Sequence, residues 1–164
     1  MSELKDLMLR PSRLTLAVAE SLTCGRVQAR VGTISGASEF FLGGLTAYSL
    51  DQKVRHLHIN GATAVAVNSV SGDVAEQMAH GACVLFGSDL GVSTTGYAEP
   101  SEEWNVAEPF AWWALAHRQG PGKFALRRGR VQFPKASRTQ VQEEAAEAVM
   151  TALVEYLRGL RGQR

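Results

Sequence analysis

Small clusters of polar residues follow three short apolar runs of this sequence, and their hydroxyl groups and one amine could act together on a substrate. The clusters are Ser21 with Thr23, then Tyr48 with Ser49 and Lys53, and then Thr94 with Thr95 and Gly96. Each apolar run has the length of a buried strand. Because ligands bind at the carboxyl ends of strands in open α/β sheets, we expect the three clusters to line one crevice.

Ser21 is a candidate nucleophile. It lies between an apolar run and a predicted helix, so its hydroxyl would sit beside the unpaired N–H groups of the helix start. Those groups would stabilise an oxyanion that forms when the serine attacks a carbonyl carbon. Serine also caps helices, so a purely structural role is the alternative. Cys24 is a second, minor candidate nucleophile, with packing as its alternative role.

Lys53 is the candidate general base. It falls in the first turn of a helix that is predicted to begin near Ser49, where Ser49 and Gln52 have the spacing of a capping box. The positive end of a helix dipole disfavours an ammonium group and lowers its pKa. A fall from about 10.4 to about 7.5 needs roughly 4 kcal/mol, more than a surface dipole supplies, so partial burial is also required. A solvated surface charge is the alternative.

Arg138 is the candidate anion-binding residue. It follows Ser137, which forms a second capping-box pattern with Gln140 at the start of the last predicted helix. A guanidinium group beside the N–H groups of a helix start suits a phosphate or a carboxylate. Further basic residues occur nearby on a predicted hairpin, and such a stripe is typical of a solvated surface.

Strands and helices alternate along the chain and would position these residues. Apolar spacing predicts helices at Ser2–Leu9, after Ser21, from Ser49, from Ser71 to Gly87 and over Ser137–Leu160. It predicts strands at Leu14–Val18, Phe40–Tyr48, Leu90–Thr94, Phe110–Ala116 and Lys123–Phe133, the last two joined as a hairpin. The expected fold is α/β, a three-layer α/β/α sandwich with a mixed sheet flanked by helices.

Composition narrows the class of protein. The 164 residues are 45% hydrophobic and 20% charged, which predicts one domain over residues 1–164 with its own core and excludes intrinsic disorder. A net charge of +1 gives no reason to expect binding to nucleic acid. The two cysteines and the lack of a long apolar run favour a soluble, cytoplasmic protein that does not enter membranes. Phosphate-binding and dinucleotide-binding glycine motifs are absent, and the histidine spacing predicts no metal site.

Several segments, in order, resemble the CinA C-terminal domain family, the nicotinamide-mononucleotide deamidases. AESLTCG at 19–25 is similar to the family's AESCTGG, and GAS with FLGGLTAYS and Lys53 is similar to GSSxxFxGGxxxYSNxxK. The helix pattern from Val70 and TGYAEP at 95–100 also resemble family segments. The likeness extends from Leu14 to about Leu157 and identifies the chain as a divergent, stand-alone member.

The resemblance implies hydrolysis of the carboxamide of nicotinamide mononucleotide to nicotinate mononucleotide and ammonia, without a metal or another cofactor. It places the catalytic roles on Ser21 as nucleophile and Lys53 as base, with Tyr48 and Thr95 assisting. Substrate contacts are expected from Thr23, Gly25, Gly44, Ser49, Gly96 and Arg138. The expected partner is a pyridine mononucleotide, and the chain is expected to form a homodimer through its tryptophan-rich strand at 110–116.

Four differences from the family pattern leave a second interpretation open. Cys24 replaces a glycine, Glu99 replaces another glycine, residues 101–111 replace a glycine-rich loop, and Gln142 replaces an arginine. Added carboxylates and a lost cation would oppose a phosphorylated substrate. The alternative is therefore a divergent member that binds a nucleotide-like ligand or a protein partner and catalyses little.

Overall fold

A computed structural model, which describes residues 2–162, places one mixed sheet between two layers of helices. The sheet has 5 strands in the order β2-β1-β3-β4-β5. They are β1 (Leu16–Glu20), β2 (Phe41–Thr46), β3 (Leu90–Tyr97), β4 (Phe110–Gly120) and β5 (Lys123–Gln132). Strand β1 pairs in parallel with β2 and β3, and β4 is antiparallel to β3 and β5. The predicted α/β sandwich and its terminal hairpin are confirmed.

The helices lie on both faces of the sheet. They are α1 (Ser2–Leu9), α2 (Arg26–Gly32), α3 (Leu50–Leu57), α4 (Gly61–Val65), α5 (Gly72–Phe86) and α6 (Arg138–Gly162). The side chains of β1 alternate between the faces. Leu16 and Val18 pack with α1, α2 and α6, whereas Ala17 and Ala19 pack with α3, α4 and α5. β1 is therefore covered on both sides.

Local capping signals fix several helix ends. Ser71 Oγ accepts a hydrogen bond from the N–H of Val74 at 3.1 Å, and Gly87 ends α5 with φ 70°. The N–H of Ser137 donates to the side chain of Gln140 at 2.8 Å, as the capping box requires. These three helix ends are thus as predicted, because each depends only on residues close together in the chain.

The capping box predicted at Ser49 is wrong, although α3 begins as expected just after that residue. Ser49 makes no side-chain capping bond. Gln52 instead contacts the ring of His56 at 2.9 Å, one turn further along the exposed face of the helix. Spacing alone cannot distinguish a bond to the helix start from a bond within the helix.

The tryptophan-rich strand β4 is internal to the sheet. Trp113 packs against the core that includes α6, and Trp112 packs against the cluster beneath α5. Both tryptophans are therefore packed against the protein's own core and stay partly exposed. The homodimer itself stays a prediction. None of the helices in residues 2–162 is long and apolar enough to cross a membrane.

Candidate active site

A pocket of about 360 Å³ opens at the carboxyl ends of β1, β2 and β3. Five of the predicted catalytic and substrate-binding residues line it, namely Ser21, Tyr48, Lys53, Gly96 and Arg138. Its volume lies within the range of small-molecule sites. The structure thus brings members of all three polar clusters to one crevice, as the predicted topology required.

Ser21 directly follows the last residue of β1 and is 6% exposed. Its N–H donates to the carbonyl of Thr94 at 3.0 Å, which continues the strand pairing by one residue. The chain then makes a turn, and α2 begins only at Arg26. The prediction that Ser21 sits at the helix start is therefore wrong by several residues.

Glu20 occupies the helix start instead. Its buried carboxylate accepts from the N–H groups of Gly25 at 3.0 Å, Val27 at 3.1 Å and Gln28 at 2.9 Å. It also accepts from the hydroxyl of Thr23 at 2.6 Å. The α2 amides that were expected to stabilise an oxyanion are consequently already bonded. Their function is to hold a carboxylate, whose charge suits a helix N-terminus, and through it the turn after Ser21.

Lys53 is buried, with an exposed fraction of 2%. Its Nζ donates to the carbonyl of Ser69 at 3.2 Å and to the hydroxyl of Thr95 at 3.3 Å. The Thr95 hydroxyl in turn donates to the same Ser69 carbonyl at 2.9 Å. Burial lowers the pKa of Lys53 from 10.5 to about 8. The cause is loss of solvent around the ammonium group, which is the burial that the sequence argument required in addition to the helix dipole.

Arg138 begins α6 and reaches the mouth of the pocket. Its Nη2 donates to the hydroxyl of Tyr48 at 2.8 Å, and its Nη1 lies 3.2 Å from Oε1 of Glu99. Glu99 also lines the pocket, and both charged side chains are about half exposed. Both terminal nitrogens of the guanidinium group are thus engaged within the protein.

Other residues expected to contact substrate do not line the pocket. Thr23 is fully buried and is bonded to Thr94 at 2.6 Å as well as to Glu20. A side chain at Gly44 would lie 2.7 Å from the carbonyl oxygen of Val18, so this glycine permits close pairing of β2 with β1. Thr23 and Gly44 therefore support the structure around the site without lining the pocket.

Gly25 and Ser49 also lie outside the lining of the pocket. Gly25 precedes α2 and donates its N–H to Glu20, and Ser49 precedes α3. Gly96 both lines the pocket and lies against the carbonyl of Phe110, where a Cβ would collide. Cys24, the alternative nucleophile, is exposed and is not part of the pocket.

Several residues that shape the site were not predicted from the sequence. Ser69 contributes only a backbone carbonyl, and Asn68 lines the pocket while its amide donates to Tyr97 at 3.0 Å. Gln142, considered only as a lost cation, donates to the carbonyl of Leu22 at 2.9 Å and fixes the backbone after Ser21. Backbone acceptors and contacts between residues distant in sequence leave no local pattern from which these roles could be predicted.

The functional groups that line the pocket include hydroxyls, an amine, a guanidinium group and the carboxylate of Glu99. Across residues 2–162, no three His, Cys, Asp or Glu side chains are grouped in a way that could hold a metal ion. The side chains of Ser21 and Lys53 line the pocket together, and those of Arg138 and Tyr48 lie at its mouth.

The residues that line the pocket all lie within a known family domain. The sequence profile of the CinA C-terminal domain matches residues 1–157. This chain belongs to the CinA C-terminal domain family. A CinA-like protein from Chlorobium limicola is 34% identical over 157 residues, which are 94% of this chain and 36% of that protein. A CinA-like protein from Picosynechococcus is 44% identical over 109 residues, or 66% of this chain and 26% of that protein. The chain thus spans about a third or less of the length of these CinA relatives.

Solved structures of CinA superfamily proteins have the same fold. One from Klebsiella pneumoniae superposes with a TM-score of 0.85 at 24% identity, covering 96% of this chain and 95% of that one. A competence damage-inducible protein A from the same species gives a TM-score of 0.82 at 25% identity, covering 93% and 91%. The five-stranded sheet with its flanking helices is therefore the CinA fold.

Proposed function

We propose that this CinA-family chain is an amidohydrolase that converts nicotinamide mononucleotide into nicotinate mononucleotide and ammonia. Ser21 is the nucleophile and Lys53 is the general base. The observation that carries the proposal is the burial of Lys53 in the wall of the pocket that Ser21 also lines, which lowers the pKa of the amine to about 8. A lysine with such a pKa has a substantial neutral fraction near physiological pH and can accept a proton.

The hydrogen bonds of Lys53 favour a base directed into the pocket. A neutral amine has two N–H groups and one lone pair, and Nζ has two acceptors, the Ser69 carbonyl and the Thr95 hydroxyl. Because both N–H groups are bonded to these acceptors, the lone pair is free to accept a proton from another group. The hydroxyl of Ser21 is the pocket-lining group that this reaction needs.

The reaction proceeds in two halves. Oγ of Ser21 attacks the carboxamide carbon while Lys53 takes the hydroxyl proton, and the carbonyl oxygen becomes an oxyanion. The C–N bond then breaks, and Lys53 gives its proton to the leaving nitrogen, which departs as ammonia. Water attacks the resulting ester, its proton passes to Lys53, and the C–O bond to Ser21 breaks as the proton returns to Oγ. The product is the carboxylic acid, which releases its proton to solvent and leaves as the carboxylate.

The backbone N–H of Leu22 is the proposed oxyanion donor. Leu22 follows the nucleophile and lines the pocket, and its N–H donates no hydrogen bond to any part of the described chain. The carbonyl of the same peptide group, that of Ser21, accepts a hydrogen bond from the N–H of Cys24 at 3.1 Å, so the peptide is held in position before substrate arrives. A preorganised donor of this kind stabilises charge that develops during attack.

The proposal is tested by ammonia release from nicotinamide mononucleotide. Wild type is compared with Ser21→Ala and Lys53→Met, and the conversion of mononucleotide to its acid is followed by chromatography. Each substitution should lower kcat by at least about 10³-fold, because each removes a group that the chemical step requires. Wild-type rates in both folded variants would overturn the assignment of the two residues.

A second function is favoured by one observation, the ion pair between Glu99 and Arg138 at the mouth. A guanidinium group that is already neutralised is a poor phosphate site, as expected for a divergent member that binds a nucleotide-like ligand or a protein partner with little catalysis. A folded wild type that releases no ammonia from the mononucleotide over hours would select this function over the first.

A further inference from the structure

The mouth of the pocket carries an internal anion at the position where a substrate anion would bind. Glu99 follows β3, Arg138 begins α6, and their side chains meet at 3.2 Å across the opening. Tyr48 takes the other terminal nitrogen of the guanidinium group at 2.8 Å. Arg138 is the cation that lines this pocket besides the buried Lys53. A phosphate that enters must therefore share or replace Glu99 as the partner of Arg138.

A phosphate that displaces Glu99 from Arg138 still meets the negative charge of the Glu99 carboxylate at the mouth of the pocket. An exposed ion pair is weak and opens readily, so the contact itself is a small obstacle. The carboxylate nevertheless stays tethered to the chain segment that lines the opening, within reach of the displaced position. A phosphate monoester carries close to two negative charges at neutral pH. Repulsion between these charges and Glu99 opposes binding, whereas a pyridinium ring, which is positive, is attracted.

We propose that Glu99 is a specificity-determining residue that directs this pocket towards pyridinium carboxamides without a phosphate. The nucleoside, nicotinamide riboside, is then hydrolysed at least as efficiently as the mononucleotide. The inference rests on the proposed amidohydrolase function and concerns the part of the substrate remote from the reacting carboxamide. It assigns to Glu99 a role in selection and none in the chemical step.

The first experiment measures kcat/KM for riboside and mononucleotide with wild type and Glu99→Gln. The matched control is Glu102→Gln, which removes an equal charge from an exposed residue three positions away that does not line the pocket. Glu99→Gln should raise kcat/KM for the mononucleotide about tenfold, mainly through KM, and leave the riboside unchanged or slightly poorer. The control should change either value by less than about twofold, and added salt should reduce the effect of Glu99→Gln.

A second readout keeps this inference separate from the proposed activity. Calorimetry on Ser21→Ala, with and without Glu99→Gln, gives Kd for both compounds in the absence of turnover. Selection by Glu99 is supported if the riboside binds more tightly than the mononucleotide and Glu99→Gln reverses this order. The same result in a protein whose wild type releases no ammonia would overturn the proposed activity alone. A clear wild-type preference for the mononucleotide, equal effects of Glu99→Gln and Glu102→Gln, or no binding of either compound overturns the inference.

Discussion

The amine of Lys53 and the hydroxyl of Thr95 are hydrogen bonded at 3.3 Å beneath the pocket. Thr95 is 0% exposed and Lys53 is 2% exposed, so water does not compete for this contact. The Thr95 hydroxyl donates a hydrogen bond to the Ser69 carbonyl, and its oxygen accepts a hydrogen bond from Nζ of Lys53. The orientation of the amine is therefore set by a chain of two hydrogen bonds that ends on a backbone atom.

The first expected outcome is a dependence of activity on the protonation of Lys53. Burial lowers the pKa of Lys53 to about 8, and only the neutral amine accepts the proton of Ser21. We expect kcat/KM to rise about tenfold per pH unit below pH 8 and to level off above it, since kcat/KM reports the free enzyme. Initial rates of ammonia release between pH 6.5 and 9.5 measure this profile. A flat profile over that range would exclude Lys53 as the base.

The second expected outcome is that Lys53→Met stabilises the fold. Below pH 8 both the folded and the unfolded chain hold the Lys53 proton, and the folded chain bears the full cost of a buried ammonium. Methionine avoids that cost, and the Ser69 carbonyl keeps Thr95 as a donor. The free energy of unfolding at pH 7 should therefore rise by about 1 to 3 kcal/mol. Urea unfolding at several pH values measures it.

The gain from Lys53→Met should shrink as the pH rises. Between the folded pKa of about 8 and the unfolded value of 10.5, the unfolded wild type binds more protons, so its stability increases with pH in this window. The two proteins should converge towards pH 10.5. Lys123→Met, at the exposed start of β5, is the matched control and should show no such convergence. A variant less stable than wild type at pH 7 would contradict the assigned cost of burial.

The third expected outcome distinguishes the effect of the Thr95 hydroxyl from the effect of the side chain's volume. Thr95→Val keeps the volume but removes the acceptor for Lys53, and Thr95→Ser keeps the hydroxyl. We expect Thr95→Val to lower kcat by roughly 10- to 100-fold with little change in KM. It should also shift the pH profile to lower pH, because the ammonium form loses an acceptor. Thr95→Ser should restore both values, and identical behaviour of the two variants would remove Thr95 as a positioning residue.

The fourth expected outcome concerns Glu20, which joins β1 to α2. Glu20→Gln presents an amide group to N–H donors of Gly25, Val27 and Gln28 and leaves at least one of them without an acceptor. The free energy of unfolding should fall by about 2 to 4 kcal/mol, since these groups are buried and the lost acceptor is charged. Denaturant unfolding compares it with Glu103→Gln, an exposed site where the change should be within about 0.5 kcal/mol. Equal stability of the two variants would exclude the anchoring role of Glu20.

Features that depend on neighbouring residues were readable from the sequence. The Ser71 and Gly87 caps of α5 and the capping box of Ser137 with Gln140 are as predicted, because helix ends are decided within a few residues. The alternation of apolar runs also predicted the mixed sheet, and the sheet in turn predicted that polar residues after three strands would meet. The shared crevice of Ser21 and Lys53 follows from that topology, because both residues come after strands that end at the same edge of the sheet.

Features that depend on contacts between distant residues were decided only by the tertiary structure. The burial of Lys53 needs the backbone of Ser69 and the side chain of Thr95, and the occupation of the α2 amides needs Glu20 to turn inward from the end of its strand. The pairing of Arg138 with Glu99 joins residues 39 positions apart. The sequence determined which groups could react and at which end of the sheet they gather. Only packing determined how exposed these groups are to solvent and which partners they bind. Desolvation and hydrogen bonds between distant residues arise only when separate segments of the chain come together.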